Sequence, residues 1–179
     1  MIISKTPLRI SLFGGGTDFP EYFNKRKSVI IGSTINKFIY ITFNKTLDFD
    51  KKNIKIFYKK NEFVQNVNKI KHKVVKKLLL KEKIIKNLDL HIVADLPSYS
   101  GLGTSSAFTV GLMNLLKASQ KKKISKLDLA YDSINFERNI LKEYVGFQDQ
   151  IHASFGGFNK ITIDKKKIKI QSLDSFKNK

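Results

Sequence analysis

The segment that decides the fold is PSYSGLGTSSA, from Pro97 to Ala107. It follows residues 88–93, whose apolar alternation is typical of a strand, and it precedes the apolar residues 107–118, which predict a buried helix. Glycines let the main chain turn tightly and let a ligand approach its N–H groups. Because the turn opens directly into a helix, unpaired N–H groups and the positive end of the helix dipole favour an anion there. Three consecutive hydroxyl residues add donors and a candidate magnesium ligand.

This glycine turn differs from two common phosphate loops. No Gly-Lys-Ser or Gly-Lys-Thr follows it, as a Walker loop requires, and the third glycine of the dinucleotide fingerprint is missing. Taken alone, the segment leaves a second interpretation open, a plain helix start with Ser and Thr caps after a glycine turn.

The composition is that of one globular domain. The chain has 179 residues, of which 41% are hydrophobic and 27% charged. It has no cysteine, which excludes disulfides and thiolate metal sites. No secretory signal and no apolar run long enough for a membrane span is visible, so we expect a cytoplasmic protein without a membrane partner.

The net charge of +19 raises the question of a nucleic-acid partner. Of the 34 basic residues only three are arginines, Arg9, Arg26 and Arg138, and the other 31 are lysines spread along the chain. Proteins that read nucleic-acid sequence more often cluster arginines for bidentate contacts. The pattern therefore favours compositional drift with a solvated lysine-rich surface and argues against a nucleic-acid partner. Attraction for anionic substrates such as nucleotides and sugar phosphates is the remaining alternative.

The rest of the chain mixes strands and helices, which predicts an α+β fold. Predicted strands cover residues 2–12, 29–35, 38–43, 54–58 and 88–93, and a hairpin covers 157–170. Apolar spacings of three and four predict a helix over 67–78. A second helix is expected from the N-cap Ser125, with Asp128 three residues later, to about Lys142.

The amino-terminal stretch PLRISLFGGGTDF, residues 7–19, brings a cation, a glycine run and a carboxylate close together. Arg9 can offset phosphoryl charge, and Asp18 can accept hydrogen bonds from sugar hydroxyls. An ordinary glycine hairpin with Asp18 capping a helix is the alternative.

Two further carboxylates are candidates for chemistry. Glu137 points along the apolar face of its predicted helix, where an ionised group must be paired or bind metal. It is either a magnesium ligand, half of a salt bridge to a buried lysine or arginine, or open to water at the end of the core. Asp149 lies just beyond that helix and is either a base that takes a proton from a hydroxyl group or a helix cap.

Three motifs, in order, resemble those of GHMP kinases. Residues 97–107 resemble the second motif, usually Pro-x3-Gly-Leu-Gly-Ser-Ser-Ala, with Thr104 keeping the hydroxyl. Residues 7–19 resemble the first motif, and the triple glycine before Thr-Asp is closer to heptose kinases and fucokinases than to galactokinases. Residues 145–159 resemble the heptose kinase pattern, and Glu137 precedes Asp149 at a spacing similar to that in mevalonate kinases.

The resemblance implies a role for each motif, with ATP and Mg²⁺ as cofactors. It implies that the ATP phosphates bind at Gly101, Leu102, Gly103, Thr104, Ser105 and Ser106. It implies a metal site at Ser105 and Glu137, catalysis by Asp149 as base with the help of Arg9, and sugar binding by Gly16, Thr17 and Asp18. The implied reaction phosphorylates the anomeric hydroxyl of D-glycero-D-manno-heptose 7-phosphate or a related sugar, for lipopolysaccharide or other surface glycans.

The implied fold is the two-layer α+β amino-terminal domain of GHMP kinases, which resembles ribosomal protein S5 domain 2. Residues 1–171 are expected to form this ATP-binding domain, and 172–179 a polar tail where a carboxy-terminal domain would begin. Because the third glycine-rich motif of the family has no counterpart here, a separate chain carrying that domain is a candidate partner. The alternative function is a non-catalytic nucleotide- or nucleic-acid-binding remnant of the same fold.

Overall fold

The computed structural model describes residues 1–46, 53–98, 100–165 and 167–174. Within these ranges the strands form one mixed sheet in the order β4-β3-β5-β2-β6-β7, with β1 also paired to β2. Only the β3–β5 pair is parallel. The strands are β1 (Ile2–Phe13), β2 (Ser28–Lys45), β3 (Ile54–Phe57), β4 (Asn61–Val64), β5 (Leu88–Ala94), β6 (Phe158–Asp164) and β7 (Lys167–Ser172).

Helices cover one face of this sheet, which confirms the predicted two-layer α+β architecture. They are α1 (Pro20–Phe23), α2 (Lys73–Lys81), α3 (Thr104–Ser119), α4 (Lys126–Asn135) and α5 (Gln148–Phe155). Helix α3 packs on β1 and β2 and is buried along most of its length. Gly111 allows this close approach, because a Cβ there would collide with the hydroxyl of Thr6.

Strand β2 corrects the sequence prediction of two strands, 29–35 and 38–43. It is continuous from Ser28 to Lys45, although the polar residues Asn36 and Lys37 suggested a break. Its pairing with β1 shifts between Pro7 and Arg9, so several β2 residues lie opposite Leu8 and the strand bends without ending. Strand β1 follows one edge of β2, whereas β6 and β5 share the other edge.

The helix predicted over 67–78 begins later, at Lys73, and β4 was not predicted. Residues 67–69 form a 3₁₀ turn, and the chain is then extended up to the N-cap His72. The Glu62 carboxylate accepts hydrogen bonds from the main-chain N–H groups of Lys71 (2.6 Å) and His72 (3.0 Å), which holds this segment out of the helix. Val67 and Ile70 are nevertheless buried, so their apolar spacing imitated a helix.

Helix α4 begins as predicted, because the hydroxyl of Ser125 accepts a hydrogen bond from the Asp128 N–H (3.1 Å). After Asn135 the chain winds more widely, as a π-helical turn from Phe136 to Ile140. There, the N–H of Leu141 donates to the Phe136 carbonyl five residues earlier (2.9 Å). Such turns change the direction of the side chains that they carry, and this one carries Glu137.

The predicted tail, residues 172–179, falls mostly outside the described residues, which end at Asp174. Ser172 closes β7, and the Asp174 carboxylate accepts a hydrogen bond from the Phe158 N–H (3.2 Å). Among the described helices, none has the length and apolarity that crossing a bilayer demands.

Candidate active site

The glycine turn leaves its main-chain N–H groups open. Gly101 and Gly103 both have φ +74°, a conformation that favours glycine, and α3 begins directly after them. In the described part of the chain, none of the N–H groups of residues 101–106 donates to a protein acceptor. The start of α3 also has no side-chain cap, so capping by Ser or Thr does not explain these residues. The geometry suits an anion. Tyr99, within the same motif, is not among the residues that the structure describes.

Arg9 and Asp149 meet beside this turn. Strand β1 carries Arg9, whose Nε (2.8 Å) and Nη2 (2.7 Å) both contact Oδ1 of Asp149 at the start of α5. Nη1 of Arg9 donates to the carbonyl of Gly101 (2.7 Å). A Cβ at Gly103 would lie 3.3 Å from both Arg9 Cγ and Asp149 Oδ2. The structure therefore brings the predicted catalytic pair to the predicted phosphate loop.

Burial raises the pKa of Asp149 above its ordinary value, the charge of Arg9 opposes this rise, and nearby Asp18 adds to it. A carboxylate that takes a proton from a sugar hydroxyl benefits from such a rise, because its proton affinity moves toward the working pH. Oδ1 is engaged by Arg9, whereas Oδ2 is the carboxylate oxygen nearer to Gly103.

Asp18 is almost fully buried, with 1% of its surface exposed. Its carboxylate accepts hydrogen bonds from the N–H of Gln148 (3.0 Å), the Gln148 side chain (3.3 Å) and the N–H of Gly16 (3.2 Å). It thus caps α5, a helix distant in sequence, and not the adjacent α1. Gly146 makes room for it, since a Cβ there would collide with Oδ2. Asp18 lies at the site, but its predicted contact with sugar stays a prediction.

The other two residues predicted to bind sugar occupy the same turn. The hydroxyl of Thr17 donates to the Gly14 carbonyl (2.7 Å) and also contacts the hydroxyl of Ser28 (2.7 Å). Gly16 is exposed and has φ +84°. Thr17 therefore stabilises the turn, while Gly16 leaves its surface open.

Glu137 is completely buried, at 0% exposure, beside the last residue of the glycine turn, Ser106. Its Oε2 accepts hydrogen bonds from the hydroxyl of Ser106 (2.9 Å) and from the side-chain amide of Gln150. Its Oε1 has no hydrogen-bond partner among the described residues, and no described lysine or arginine pairs with the carboxylate. Burial raises the pKa of Glu137, and the hydroxyl and amide donors around it oppose the rise.

This arrangement fits a magnesium ion. Mg²⁺ is usually bound by one or two carboxylates together with waters and substrate phosphates. The described residues contain no cluster of three or more acidic or histidine ligands, so a phosphate-assisted site is the kind that they can form. Ser105, the predicted serine ligand, is exposed at the turn and does not contact Glu137, whereas Ser106 does.

Comparison with known proteins identifies the family. Residues 66–157 match the model of the GHMP kinases N terminal domain. The chain belongs to the GHMP kinase family. It is 34% identical over 167 residues to the D-glycero-alpha-D-manno-heptose 7-phosphate kinase of Campylobacter jejuni, an alignment that covers 88% of this chain and 49% of that protein. The GHMP kinase domain described here thus spans about half the length of this relative.

Solved structures share the fold. A D-glycero-D-manno-heptose 1-phosphate kinase from Bacteroides thetaiotaomicron superposes with a TM-score of 0.85 at 24% identity, over 96% of this chain and 59% of that one. A putative sugar kinase from Campylobacter jejuni gives 0.76 at 27% identity, over 96% and 55%. A mevalonate kinase gives 0.71 at 18% identity, over 94% and 55%. The match confirms the predicted GHMP kinase amino-terminal fold.

Several residues of this GHMP kinase domain were not predicted as part of the site, namely Ser28, Gly146, Gln148, Gln150 and His152. His152 was noticed in the sequence but had no assigned role. It is fully buried, no described residue pairs with either ring nitrogen, and a Cβ at Gly32 would lie 2.7 Å from its Nε2. Burial lowers its pKa to about 4, and the Arg9 charge adds to this, so the ring is neutral at pH 7.

Proposed function

We propose that this chain is the ATP-binding half of a sugar kinase that phosphorylates the anomeric hydroxyl of D-glycero-D-manno-heptose 7-phosphate or a related sugar. The observation that carries the proposal is the glycine turn, whose N–H groups donate to no acceptor among the described residues and beside which Arg9, Asp149 and Glu137 all lie. The heptose is suggested by the relative that is 34% identical.

The residues have distinct roles in this proposal. The N–H groups of 101–106 bind the ATP phosphates at the positive end of α3. Asp149 Oδ2 takes the proton of the sugar hydroxyl. At the same time the oxygen of that hydroxyl forms a bond to the γ-phosphorus of ATP, and the bond between the γ-phosphorus and the ADP oxygen breaks. Arg9 holds Asp149 in place and offsets the negative charge at the phosphoryl group.

Glu137 and the serine hydroxyls of the turn would hold Mg²⁺ together with the phosphates. When bound, the ion supplies positive charge that neutralises the β- and γ-phosphate oxygens. Oε1 of Glu137 is buried without a hydrogen-bond partner among the described residues, and it is the oxygen that the protein would offer for this purpose.

Nucleotide binding is tested first, with a matched pair of glycine variants. Gly103→Ala places a methyl against Arg9 and Asp149 at φ +74°, whereas Gly156→Ala has nearly the same φ, +70°, and open space around it. Gly103 is left-handed helical with ψ 23°, whereas Gly156 has ψ 175°, a region that is nearly exclusive to glycine, so the Gly156→Ala control carries the greater backbone strain. Nevertheless only Gly103→Ala should weaken Mg·ATP binding, roughly tenfold or more, in titration calorimetry. Equal affinities for the two variants would refute the phosphate loop.

Phosphoryl transfer is tested separately, by ³¹P nuclear magnetic resonance with heptose 7-phosphate and, in parallel, mannose 6-phosphate and galactose. An anomeric phosphate signal only with the heptose supports the proposal, and transfer to another sugar would reassign the substrate. The alternative, a nucleic-acid-binding remnant, predicts salt-sensitive binding of an oligonucleotide that Gly103→Ala leaves unchanged.

A further inference from the structure

The first turn of α5 contacts three different parts of the site through three consecutive residues. Gln148 binds the Asp18 carboxylate, Asp149 binds Arg9, and Gln150 binds Ser106 and Glu137. Successive helix residues point about 100° apart, so one short turn reaches all three. The proposed function gives roles to Asp149 and Glu137 but leaves Gln150 without one.

Gln150 is fully buried and closes a ring of hydrogen bonds. Its Nε2 donates one hydrogen to the hydroxyl oxygen of Ser106 (3.1 Å) and the other to Oε2 of Glu137. The Ser106 hydroxyl in turn donates to the same Oε2 (2.9 Å). The opposite amide orientation would place an oxygen against the carboxylate, so the ring determines which way the amide points.

The ring treats the two oxygens of Glu137 differently. Oε2 receives two donors, whereas Oε1 receives none from the described residues. The hydroxyl of Thr109 lies close enough to Glu137 to lower its pKa, but it donates its hydrogen to the Ser105 carbonyl (3.2 Å) and makes no hydrogen bond of normal geometry to Oε1. Two donors on one oxygen restrict the rotation of the carboxylate, and the other oxygen keeps both lone pairs free of hydrogen bonds, as a ligand of a hard cation needs.

We propose that Gln150 is a positioning residue, which fixes the Glu137 carboxylate through Oε2 and so keeps Oε1 available to the divalent cation. This inference rests on the proposed function, because it assigns Glu137 to the metal. It goes beyond that function because the metal affinity then depends partly on the Gln150 amide, which does not have to be a metal ligand itself. Outer residues that orient metal ligands commonly change affinity by roughly 10–100-fold when they are removed.

The test compares Gln150→Met with wild type, since Met has a similar length and no N–H donor. Binding of Mn²⁺ in the presence of the ATP analogue AMPPNP is measured by electron paramagnetic resonance, and binding of AMPPNP without metal is measured by calorimetry. We expect Mn²⁺ affinity to fall about tenfold or more, with metal-free AMPPNP affinity changing less than about twofold. The exposed Gln65→Met is the matched control and should change neither.

A double-mutant comparison separates positioning from general damage. In a Glu137→Gln background the carboxylate is gone, so adding Gln150→Met should leave Mn²⁺ affinity unchanged. If Gln150→Met does not fold, Gln150→Asn keeps the amide but shortens its reach and should show the same selective loss of Mn²⁺ affinity.

The possible failures are distinguishable. Unaltered Mn²⁺ affinity in the Gln150 variants, with a loss in Glu137→Gln, would overturn the inference and leave the proposed function standing. Equal losses of Mn²⁺ and metal-free AMPPNP affinity would make Gln150 a purely structural residue. If wild type binds neither Mn²⁺ nor AMPPNP, the proposed function itself fails.

Discussion

Arg9 and Asp149 are 140 residues apart in the chain, yet Nη2 of Arg9 lies 2.7 Å from Oδ1 of Asp149. The same guanidinium donates to the Gly101 carbonyl, so it joins β1, α5 and the glycine turn. Since both side chains are mostly buried, with 13% and 25% of their surfaces exposed, removing either one would leave the other charge buried without its partner.

Removing the cation should destabilise the protein in a pH-dependent manner. In Arg9→Met, Asp149 loses the charge that opposes its raised pKa, so the pKa rises further. A carboxyl with a raised folded-state pKa destabilises the fold once pH passes above its unfolded value, and protonation at low pH relieves this. We expect a loss of about 2–3 kcal/mol at pH 8 and less at pH 5, measured by urea unfolding. The exposed Arg26→Met is the control, and losses that do not depend on pH would contradict the prediction.

Asp149→Asn should separate chemistry from binding. The amide keeps the shape of the side chain and can still accept a hydrogen bond from Arg9, but it cannot take the proton of the sugar hydroxyl. The transfer rate should fall roughly 10²–10⁴-fold, while Mg·ATP affinity changes little. The transfer rate is measured by ³¹P nuclear magnetic resonance and the Mg·ATP affinity by titration calorimetry. Asp164→Asn changes an exposed aspartate and should behave like wild type in both. A variant that retains more than a tenth of the rate would exclude Asp149 as the base.

Asp18→Asn should lower the free energy of unfolding, although aspartate and asparagine side chains have the same shape. Every neighbour of the Asp18 carboxylate is a donor, from Gln148 and Gly16, so the NH₂ group of asparagine must face an N–H. Hydrogen bonds to a charged group contribute roughly 1.5–3 kcal/mol, and we expect a loss of about 2 kcal/mol in thermal or urea unfolding. Glu21→Gln, a neutralised acid exposed on α1, is the control. An unchanged midpoint would show that the carboxylate does not cap α5.

His152 should make the protein less stable in acid. Its pKa is lowered from 6.5 to about 4, so below pH 6.5 the unfolded chain binds a proton that the folded chain refuses. Stability therefore falls as pH drops from 6.5 toward 4, by about 2 kcal/mol between pH 7 and pH 5. His152→Leu should lack this loss, so the stability of the variant relative to wild type should rise by about 2 kcal/mol between pH 7 and pH 5. Because the pKa values of Glu137 and Asp149 are raised, these two carboxyl groups make the fold more stable as the pH falls. This effect is present in both wild type and variant, so it cancels in the comparison. Parallel pH profiles for the two would contradict the assignment, and exposed His91→Gln serves as the control.

Much of the fold could be predicted because its signals are local. The glycine turn before α3 requires φ values that only neighbouring residues determine, and the Ser125 cap of α4 depends on a residue three positions away. Alternation and burial agree for β1, β5 and the β6–β7 hairpin. The prediction was wrong at β2, where an irregular pairing with β1 lets the strand continue through residues 36 and 37. It was also wrong before α2, where hydrogen bonds to the Glu62 carboxylate hold the chain out of the helix.

The sequence by itself determined that a glycine turn opens onto a helix, that a cation and several acids belong to its motifs, and that the family is GHMP kinases. Only the tertiary structure decided the partners: Ser106 contacts Glu137 where Ser105 was expected, Asp18 caps α5, and Gln150 orients the buried carboxylate. The reason is physical. Turn and helix propensities act over a few residues, whereas these contacts depend on a π-helical turn and on how α5 packs against β1, which distant parts of the chain set together.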